Sequence, residues 1–313
     1  MAFTYIFGPV MSGRLGLSLG LDLLREKICS MDCAYCEVGA TSTLTLERRA
    51  WVPAQDILDE LTQWAAQDRD TEYVTLGGSG EPTLNTEFGA VIRGVREILP
   101  GKPVAVLTNS TLMHLPEVRR DLCLADVVLP SLDTLVPQEM RRLNRCVPGL
   151  GPQTIAQGLL DFRQEFSGAI FLEVLLARGY NDSEENLRLL SEFVPRLDPD
   201  RVDVVTLSRP GTLDSAKAVD AATLERWRSA LGAFDSHDLR AEARVRELPL
   251  EEAVEAIRSS LARRPQTVLQ LAGGLGLDAE RIRQGLQILK ERDELNAREA
   301  EEGPFYSLRR TER

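Results

Sequence analysis

Three of the chain's five cysteines lie within eight residues, at Cys29, Cys33 and Cys36. Their spacing is C-x3-C-x2-C, and they follow an apolar run that covers residues 15–24. Thiolate is the ligand that iron–sulfur clusters need, so a short loop with three cysteines can wrap one corner of a cluster. On a four-iron cluster, three cysteines leave one iron without a protein ligand. Such an open position is where a cofactor can be bound and activated.

A zinc site and a disulfide are the competing interpretations of these cysteines. Structural zinc takes four ligands, commonly two C-x2-C pairs or cysteines together with histidines. No fourth ligand lies near the loop, and the two histidines, His114 and His237, are far along the chain. A disulfide is disfavoured because cytosolic thiols stay reduced. Cys123 and Cys146 have no cysteine partner at ligand spacing, so we expect them to be buried or loop thiols.

The residues around the cysteines resemble a known superfamily. C-x3-C-x2-C with an aromatic residue, Tyr35, before the last cysteine is similar to the signature of radical S-adenosylmethionine (SAM) enzymes. Residues 5–10, 14–22 and 77–83 resemble the wyosine-synthase-like (tRNA wybutosine-synthesizing-like) branch. The resemblance covers about residues 5–210 and implies a [4Fe–4S] cluster whose open iron is chelated by the amino and carboxylate groups of SAM. It also implies reductive cleavage of SAM to a 5′-deoxyadenosyl radical that abstracts hydrogen from a substrate.

A glycine-rich turn after a predicted strand is a candidate for SAM binding, because glycine lets the backbone approach a ligand closely. In the family, the corresponding motif contacts the methionine ammonium of SAM, and the backbone at the aromatic position contacts the adenine. Three polar residues at other predicted strand ends can hydrogen-bond the ribose or carboxylate of SAM, although a turn or cap role explains each equally well. The predicted cofactor-binding residues are Tyr35, Gly78, Ser79, Gly80, Glu81, Asn109, Ser131 and Asp133.

The elements that must position these residues alternate between strand and helix patterns. Six segments read as strands, at residues 17–24, 73–76, 103–107, 126–132, 170–176 and 202–207. Helical patterns separate them, which predicts β-α repeats, a parallel sheet and right-handed crossovers with the helices outside. The candidate site residues fall at the carboxyl ends of the strands, where such barrels carry their active face. The fold class is therefore α/β, and the resemblance implies a partial (β/α)6 TIM-type barrel, the radical SAM core.

Charged residues at three further positions need an explanation. Glu173 lies inside the fifth predicted strand and needs a partner, either in the barrel lumen or in a structural ion pair. Arg209 follows the sixth predicted strand and is a candidate for binding an anion. The basic stretch 140–145 is better explained as a solvated helix end than as an anion site.

The last part of the chain predicts a separate small domain. We expect a core domain at residues 1–248 and, at 249–313, a linker helix followed by a winged-helix-like domain. The tail predicts a helix at 249–263, a short helix from Thr267, a turn at 273–276, a helix capped by Asp278, and a hairpin of 295–298 with 305–308. Helix, turn, helix and wing together resemble a winged helix, a module that binds nucleic acid, peptides or proteins.

Composition limits the partners of the chain. Its 313 residues have a net charge of −11, which argues against broad electrostatic capture of nucleic acid. Residues 260–313 hold 10 basic and 9 acidic residues, so the tail is less acidic than the rest. No apolar run is as long as a membrane span, and the first residues lack a signal sequence. We therefore expect a cytoplasmic protein with no membrane partner.

Three functions remain open from the sequence. The first is radical modification of a nucleoside in RNA, as in the wyosine synthases, and the second is radical modification of a peptide or protein that the tail recruits. Wyosine synthases carry extra cysteines ahead of the main motif, whereas no cysteine precedes Cys29 here, and the tail is not typical of them. The third is a non-enzymatic iron–sulfur regulator that binds DNA, which has no use for a SAM-binding motif at 80–82. Both enzymatic functions require an electron donor such as flavodoxin or ferredoxin.

Overall fold

A curved, largely parallel sheet forms the centre of the larger part of the chain. The computed structural model describes residues 3–67, 70–233, 247–299 and 303–309, so His237 lies outside the described residues. The strands of this part are β1 (Ile6–Ser12), β2 (Gly16–Asp22), β3 (Ile28–Cys29), β4 (Thr43–Leu44), β5 (Tyr73–Gly77), β6 (Val104–Thr108), β7 (Val127–Pro130), β8 (Ala169–Leu176) and β9 (Arg201–Thr206). The main sheet has the order β1-β2-β5-β6-β7-β8-β9. From β2 onward all neighbours are parallel, whereas β1 pairs antiparallel with β2 at the edge.

Helices connect the parallel strands and cover the outside of the sheet. They are α1 (Ala54–Ala65), a 3₁₀ helix (Pro82–Leu84), α2 (Phe88–Ile98), α3 (Pro116–Leu122), α4 (Pro137–Leu143), α5 (Pro152–Glu165), α6 (Glu184–Leu197) and α7 (Ala221–Leu231). Parallel strands are buried on both faces, and β7 is buried along its whole length. Helix α1 packs inward through Ile57, Leu61 and Trp64, which recur at helical spacing.

The predicted half-barrel is confirmed: all six predicted strands are present in one parallel arrangement of the kind found in partial TIM barrels. The strand β1 was missed because Gly8 and Pro9 interrupt its pattern, and a strand with an internal proline reads as non-strand. Gly16 makes the turn between β1 and β2 with a φ of 71°, a conformation that favours glycine. The hairpin that β1 forms adds a seventh strand at the open edge of the sheet.

The tail contains three helices followed by a hairpin. They are α8 (Leu250–Arg263), α9 (Val268–Leu275), α10 (Ala279–Glu291), β10 (Leu295–Arg298) and β11 (Phe305–Leu308). A core of its own holds them together, including buried Ile257, Leu271, Ile282 and Leu289. The turn predicted at 273–276 is wrong: α9 continues through Gly273 and Gly274, and ends at a left-handed Gly276 with a φ of 63°.

The tail packs against the edge of the half-barrel. Val10 of β1 contacts the tail's apolar core, and Gln270 of α9 donates to the Ser208 carbonyl after β9 at 2.8 Å. The domain boundary expected at residue 248 stays a prediction. Helix α8 begins two residues later, at Leu250. In the described ranges, no helix has the length and apolarity that crossing a membrane requires.

Candidate cluster and cofactor site

Nitrogen donors surround the three cysteines of the loop that follows β2. Asn109 Nδ2 lies 3.4 Å from Cys29 Sγ, and Asn144 Nδ2 lies 3.7 Å from Cys33 Sγ. Lys27 Nζ donates to Cys36 Sγ at 2.8 Å. Hydrogen bonds to cysteine sulfurs tune an iron–sulfur cluster, so these donors are chemically suited to such a group.

The electrostatics of the thiols depend on their burial. Burial raises the pKa of Cys29 to about 11, and burial also raises the pKa of Cys33 well above its ordinary value. Burial alone lowers the pKa of Lys27, but the neighbouring Cys36 and Cys29 outweigh it and leave that pKa raised. The two buried thiols therefore hold their protons at neutral pH until a metal replaces them.

The chemistry of the thiols and of their N–H donors suits an iron–sulfur cluster. Among the described residues, no three His, Cys, Asp or Glu side chains are close enough together to hold one metal ion. The donor set of three thiols and directed N–H groups fits a [4Fe–4S] cluster.

One side of the cysteine loop is held by the segment after α4. The Ala34 amide donates to the Leu143 carbonyl at 2.8 Å, and the Asp32 amide donates to the Asn144 carbonyl at 3.0 Å. Arg145 forms an ion pair with Asp32. The basic stretch 140–145, predicted as a solvated helix end, therefore positions the cysteine loop through Arg145.

The opposite side of the cysteine loop is held by the segment after β9. The Leu213 amide donates to the Ala34 carbonyl at 2.9 Å, and Thr212 Oγ1 donates to the Cys36 carbonyl at 3.2 Å. A Cβ on Gly211 would lie 2.6 Å from the Tyr35 Cα, so only glycine permits this approach. The loop is thus clamped between two segments that are distant in sequence.

The predicted glycine-rich loop lies directly against the cysteine loop. The Glu81 amide donates to the Ile28 carbonyl at 3.1 Å. A Cβ on Gly80 would lie 1.8 Å from that same carbonyl oxygen. Gly78 has a φ of 122°, a conformation that side chains other than glycine rarely adopt. The two loops therefore meet at a contact that requires these glycines.

The carboxylate of Glu81 is occupied by protein donors. It accepts from Thr83 Oγ1 at 2.6 Å, from Thr108 Oγ1 at 2.8 Å and from the Asn109 amide at 2.6 Å. Burial raises the pKa of Glu81, while the hydrogen bonds from Thr83 and Asn109 oppose that shift. In this arrangement Glu81 orients the end of β6 through Thr108 and the Asn109 backbone.

Four of the predicted residues line one small cavity. It measures about 10 Å³, roughly the room of one water molecule, and is bordered by Tyr35, Asn109, Ser131 and Asp133 among others. The Asp133 carboxylate accepts from Tyr35 Oη at 2.6 Å, from Asn144 Nδ2 at 2.7 Å and from the Leu175 amide at 3.0 Å. Burial raises the pKa of Asp133 to about 6 despite these donors.

Ser79 is separated from this cavity. Its hydroxyl donates to the Asp22 carboxylate, and it borders a groove of about 1370 Å³ between α8 and β1 that also reaches Lys27. The structure thus brings Tyr35, Asn109, Ser131 and Asp133 together on one side of the cysteines.

Several residues of the site were missed by the sequence reasoning. Asn144 joins Cys33 to Asp133, and buried Asn181 and Asn186 donate to the Asp133 carbonyl at 2.9 and 3.0 Å. Lys27, which donates to Cys36 Sγ, was also missed. Each of these asparagines lies within or beside a helix and carries no motif, so only its burial in the structure identifies it.

The remaining thiols and charges also have defined surroundings. Cys146 lies near the cysteine loop, where burial, with a contribution from Cys29, raises the pKa of Cys146 to about 12. Cys123 lies away from the loop and contacts the Glu165 carbonyl oxygen at 3.6 Å. The sequence left two roles open for Glu173, in the barrel lumen or in a structural ion pair. In the structure Glu173 forms an ion pair with Arg14.

Comparison with known proteins identifies relatives over most of the chain. A UPF0026 protein of Synechocystis sp. is 37% identical over 212 residues, which cover 67% of this chain and 78% of that protein. A UPF0026 protein of Helicobacter pylori (strain J99) is 31% identical over 263 residues, which cover 83% of this chain and 84% of that protein. A protein named GTPase Obg from Brachyspira hyodysenteriae is 31% identical over 293 residues. That match covers 91% of this chain but only 42% of the Brachyspira protein.

A solved structure shares the fold of this chain, and a family model identifies its superfamily. The FeFe-hydrogenase maturase HydG from Carboxydothermus hydrogenoformans superposes with a TM-score of 0.50 at 14% identity, covering 76% of this chain and 55% of that one. At that identity the likeness concerns the fold alone. The model of the radical SAM superfamily matches residues 27–190, which include the cysteine loop, the glycine-rich loop and the Asp133 network. The chain therefore belongs to the radical SAM superfamily of enzymes, whose cofactors are a [4Fe–4S] cluster and SAM.

Proposed function

We propose that this enzyme holds one [4Fe–4S] cluster through Cys29, Cys33 and Cys36 and cleaves SAM to methionine and 5′-deoxyadenosine. When bound, the cluster would pass one electron from an external donor to SAM, and the cleaved deoxyadenosyl group would take up hydrogen from the substrate. The observation that carries the proposal is the meeting of three N–H-bonded thiols with the glycine-rich loop at one end of the parallel strands.

The residues around the thiols have separate proposed roles. The backbone of Gly78, Ser79 and Gly80 faces the methionine end of SAM, because glycine permits close approach. Tyr35, Asn109 and Ser131 bind the nucleoside part, since they border one cavity. The carboxylates of Glu81 and Asp133 accept from protein donors. Glu81 positions Asn109, and Asp133 positions Tyr35 and Asn144.

Removal of one cysteine tests the proposal. In anaerobically reconstituted Cys33→Ala we expect loss of iron, sulfide and 5′-deoxyadenosine formation, because two thiols cannot complete the three-cysteine set. Cys123→Ala is the matched control, since its thiol lies away from the loop, and it should retain all three signals. Cys146→Ala should also retain iron. A Cys33→Ala protein with full iron content, or loss of iron in Cys123→Ala, contradicts the assignment.

For the substrate we propose a macromolecule that the tail recruits. The resemblance to wyosine synthases supports a nucleoside in RNA, and a residue in a peptide or protein is the alternative. We infer that the tail is a winged-helix module, supported by its order of three helices and a hairpin and by the pairing of Gln266 with Tyr306 beside that hairpin. The exposed face of α10 carries Arg283, Gln284 and Gln287, side chains able to contact either class of partner.

The substrate class is tested by what co-purifies from an anaerobic lysate with the intact protein. Phosphate contacts release counterions, so RNA binding should weaken steeply with salt, whereas a peptide held by strand pairing or an apolar groove should be much less salt-sensitive. The non-enzymatic DNA regulator is disfavoured because it requires no SAM cleavage. A cytoplasmic location and a donor such as flavodoxin or ferredoxin stay predictions.

A further inference from the structure

Two arginines converge on one carboxylate oxygen where the tail meets the half-barrel. Arg209 Nη1 donates to Glu37 Oε2 at 2.9 Å, and Arg264 Nη1 donates to the same atom at 3.4 Å. Arg209 follows β9, and Arg264 follows α8. Glu37 directly follows Cys36, so this pair lies at the end of the cluster-binding loop.

The positive charge at this point exceeds the negative charge. Burial lowers the pKa of Arg264, and repulsion from Arg209 and Arg14 adds to that effect while Glu37 opposes it. Arg14 has its own partner in Glu173. Within the described residues, Arg209 and Arg264 are therefore left to share Glu37, and two guanidinium groups on one carboxylate leave one positive charge without a counter-charge.

The two arginines differ in exposure and in the number of their partners. Arg209 is anchored, since its Nε donates to Gln270 Oε1 at 3.1 Å and its side chain is 15% exposed. Arg264 is 41% exposed and, in the part of the chain that the structure describes, makes no side-chain hydrogen bond other than the one to Glu37. Guanidinium groups present planar sets of donors that match carboxylate and phosphate oxygens. One anchored and one partly exposed guanidinium therefore meet at the same carboxylate oxygen.

We propose that Arg209 and Arg264 bind an anionic group of the substrate, a phosphate or a carboxylate, beside the cluster loop. Glu37 holds both guanidiniums in place when no anion is bound and competes with the ligand for their donors. One arginine comes from the half-barrel and one from the tail, so the site is complete only when the tail is docked. The assignment of the anion to the substrate rests on the proposed function, whereas the binding of an anion does not.

The test is equilibrium dialysis of the cluster-loaded, full-length protein with radiolabelled inorganic phosphate and, separately, acetate at constant ionic strength. We expect saturable binding of at least one probe. Arg264→Gln should weaken it at least about tenfold, because a hydrogen bond to a charged group is lost. Glu37→Gln should tighten it, because the competing carboxylate is removed. Arg298→Gln is the matched control, since this tail arginine pairs with Asp214 outside the site and should leave binding unchanged.

The Glu37→Gln result keeps the proposal falsifiable, because a folding defect lowers binding and does not tighten it. Binding of phosphate alone supports a phosphate-bearing substrate such as RNA, and binding of acetate alone supports a carboxylate-bearing one. No saturable binding of either probe, or equal binding by Arg264→Gln and the wild type, overturns the proposal. Formation of 5′-deoxyadenosine is measured on the same samples without substrate, so failure of the anion site is distinguished from failure of SAM cleavage.

Discussion

The contact between the glycine-rich loop and the cysteine loop leads to a sharp mutational prediction. In Gly80→Ala, the added Cβ would lie 1.8 Å from the Ile28 carbonyl oxygen and 2.7 Å from its carbon. Both neighbours are backbone atoms, so no side-chain rotation relieves the clash. The two loops must separate by more than about 1 Å before the Cβ reaches the 3.0 Å that real contacts allow.

The cost of this separation follows from two terms. Overpacking costs about 1 to 3 kcal/mol. The clash also breaks the hydrogen bond from the Glu81 amide to Ile28, and an unsatisfied buried donor costs about 1 to 3 kcal/mol more. We therefore expect Gly80→Ala to lower the free energy of unfolding by about 2 to 6 kcal/mol. Because a 1 Å misplacement in an active site can cost about a hundredfold in rate, 5′-deoxyadenosine formation should fall at least that far.

Gly77→Ala is the matched control, at the end of β5 just before the glycine-rich loop. Its Cβ would meet only the Leu107 side chain, at 3.6 Å, which is ordinary van der Waals contact. We expect its stability to change by less than about 1 kcal/mol and its SAM cleavage to persist. Urea unfolding, iron analysis and chromatography of 5′-deoxyadenosine on both variants decide the matter. If Gly80→Ala matched the wild type in stability and cleavage, the inferred loop contact would be refuted.

Two other variants test other parts of the site. Burial raises the pKa of Asp133 to about 6 from an ordinary 3.8, so between these pH values the folded chain binds more protons than the unfolded one and stability falls as pH rises. Between pH 4 and 7 the metal-free wild type should lose about 2 kcal/mol relative to Asp133→Asn in urea unfolding. Asp214→Asn, at an exposed carboxylate, should follow the wild type, and a parallel pH dependence in Asp133→Asn contradicts this prediction. Deletion of residues 249–313 should preserve iron binding and SAM cleavage but abolish substrate binding; a folded truncation without iron would show that the tail completes the cluster site.

The strands and the cysteine motif were predictable from the sequence, because each is defined by residues that are neighbours along the chain. Buried parallel strands such as β7 are continuous apolar runs, and C-x3-C-x2-C is a local spacing. The edge strand β1 was not readable, since its proline and half-exposed side chains break the pattern. The roles of Asn144 and Arg145 were also hidden, because their partners Asp133, Cys33 and Asp32 are set by tertiary packing rather than by motif.

The hydrogen bonds that the Glu81 side chain makes are not visible in the sequence. The resemblance directs attention to Glu81 as an anionic acceptor for SAM. In the structure its oxygens instead accept from Thr83 in the following 3₁₀ helix and from Thr108 and the Asn109 amide at the end of β6. A single motif residue therefore orders three neighbours, and this role depends on the pairing of β5 with β6, which local sequence does not specify.

The cysteine loop is attached to three separate parts of the fold, and this has a consequence for substrate binding. Its backbone is bonded to the segment after α4, to the segment after β9 and to the glycine-rich loop. Glu37 adds a fourth attachment, to Arg209 and Arg264. The first three restrain the cysteines whether or not the tail is occupied, whereas the fourth changes when an anion competes with Glu37. Anion binding at the tail interface should therefore alter the surroundings of Cys36 more than those of Cys29, and the spectrum of the loaded cluster should respond to phosphate or acetate in the wild type but not in Arg264→Gln.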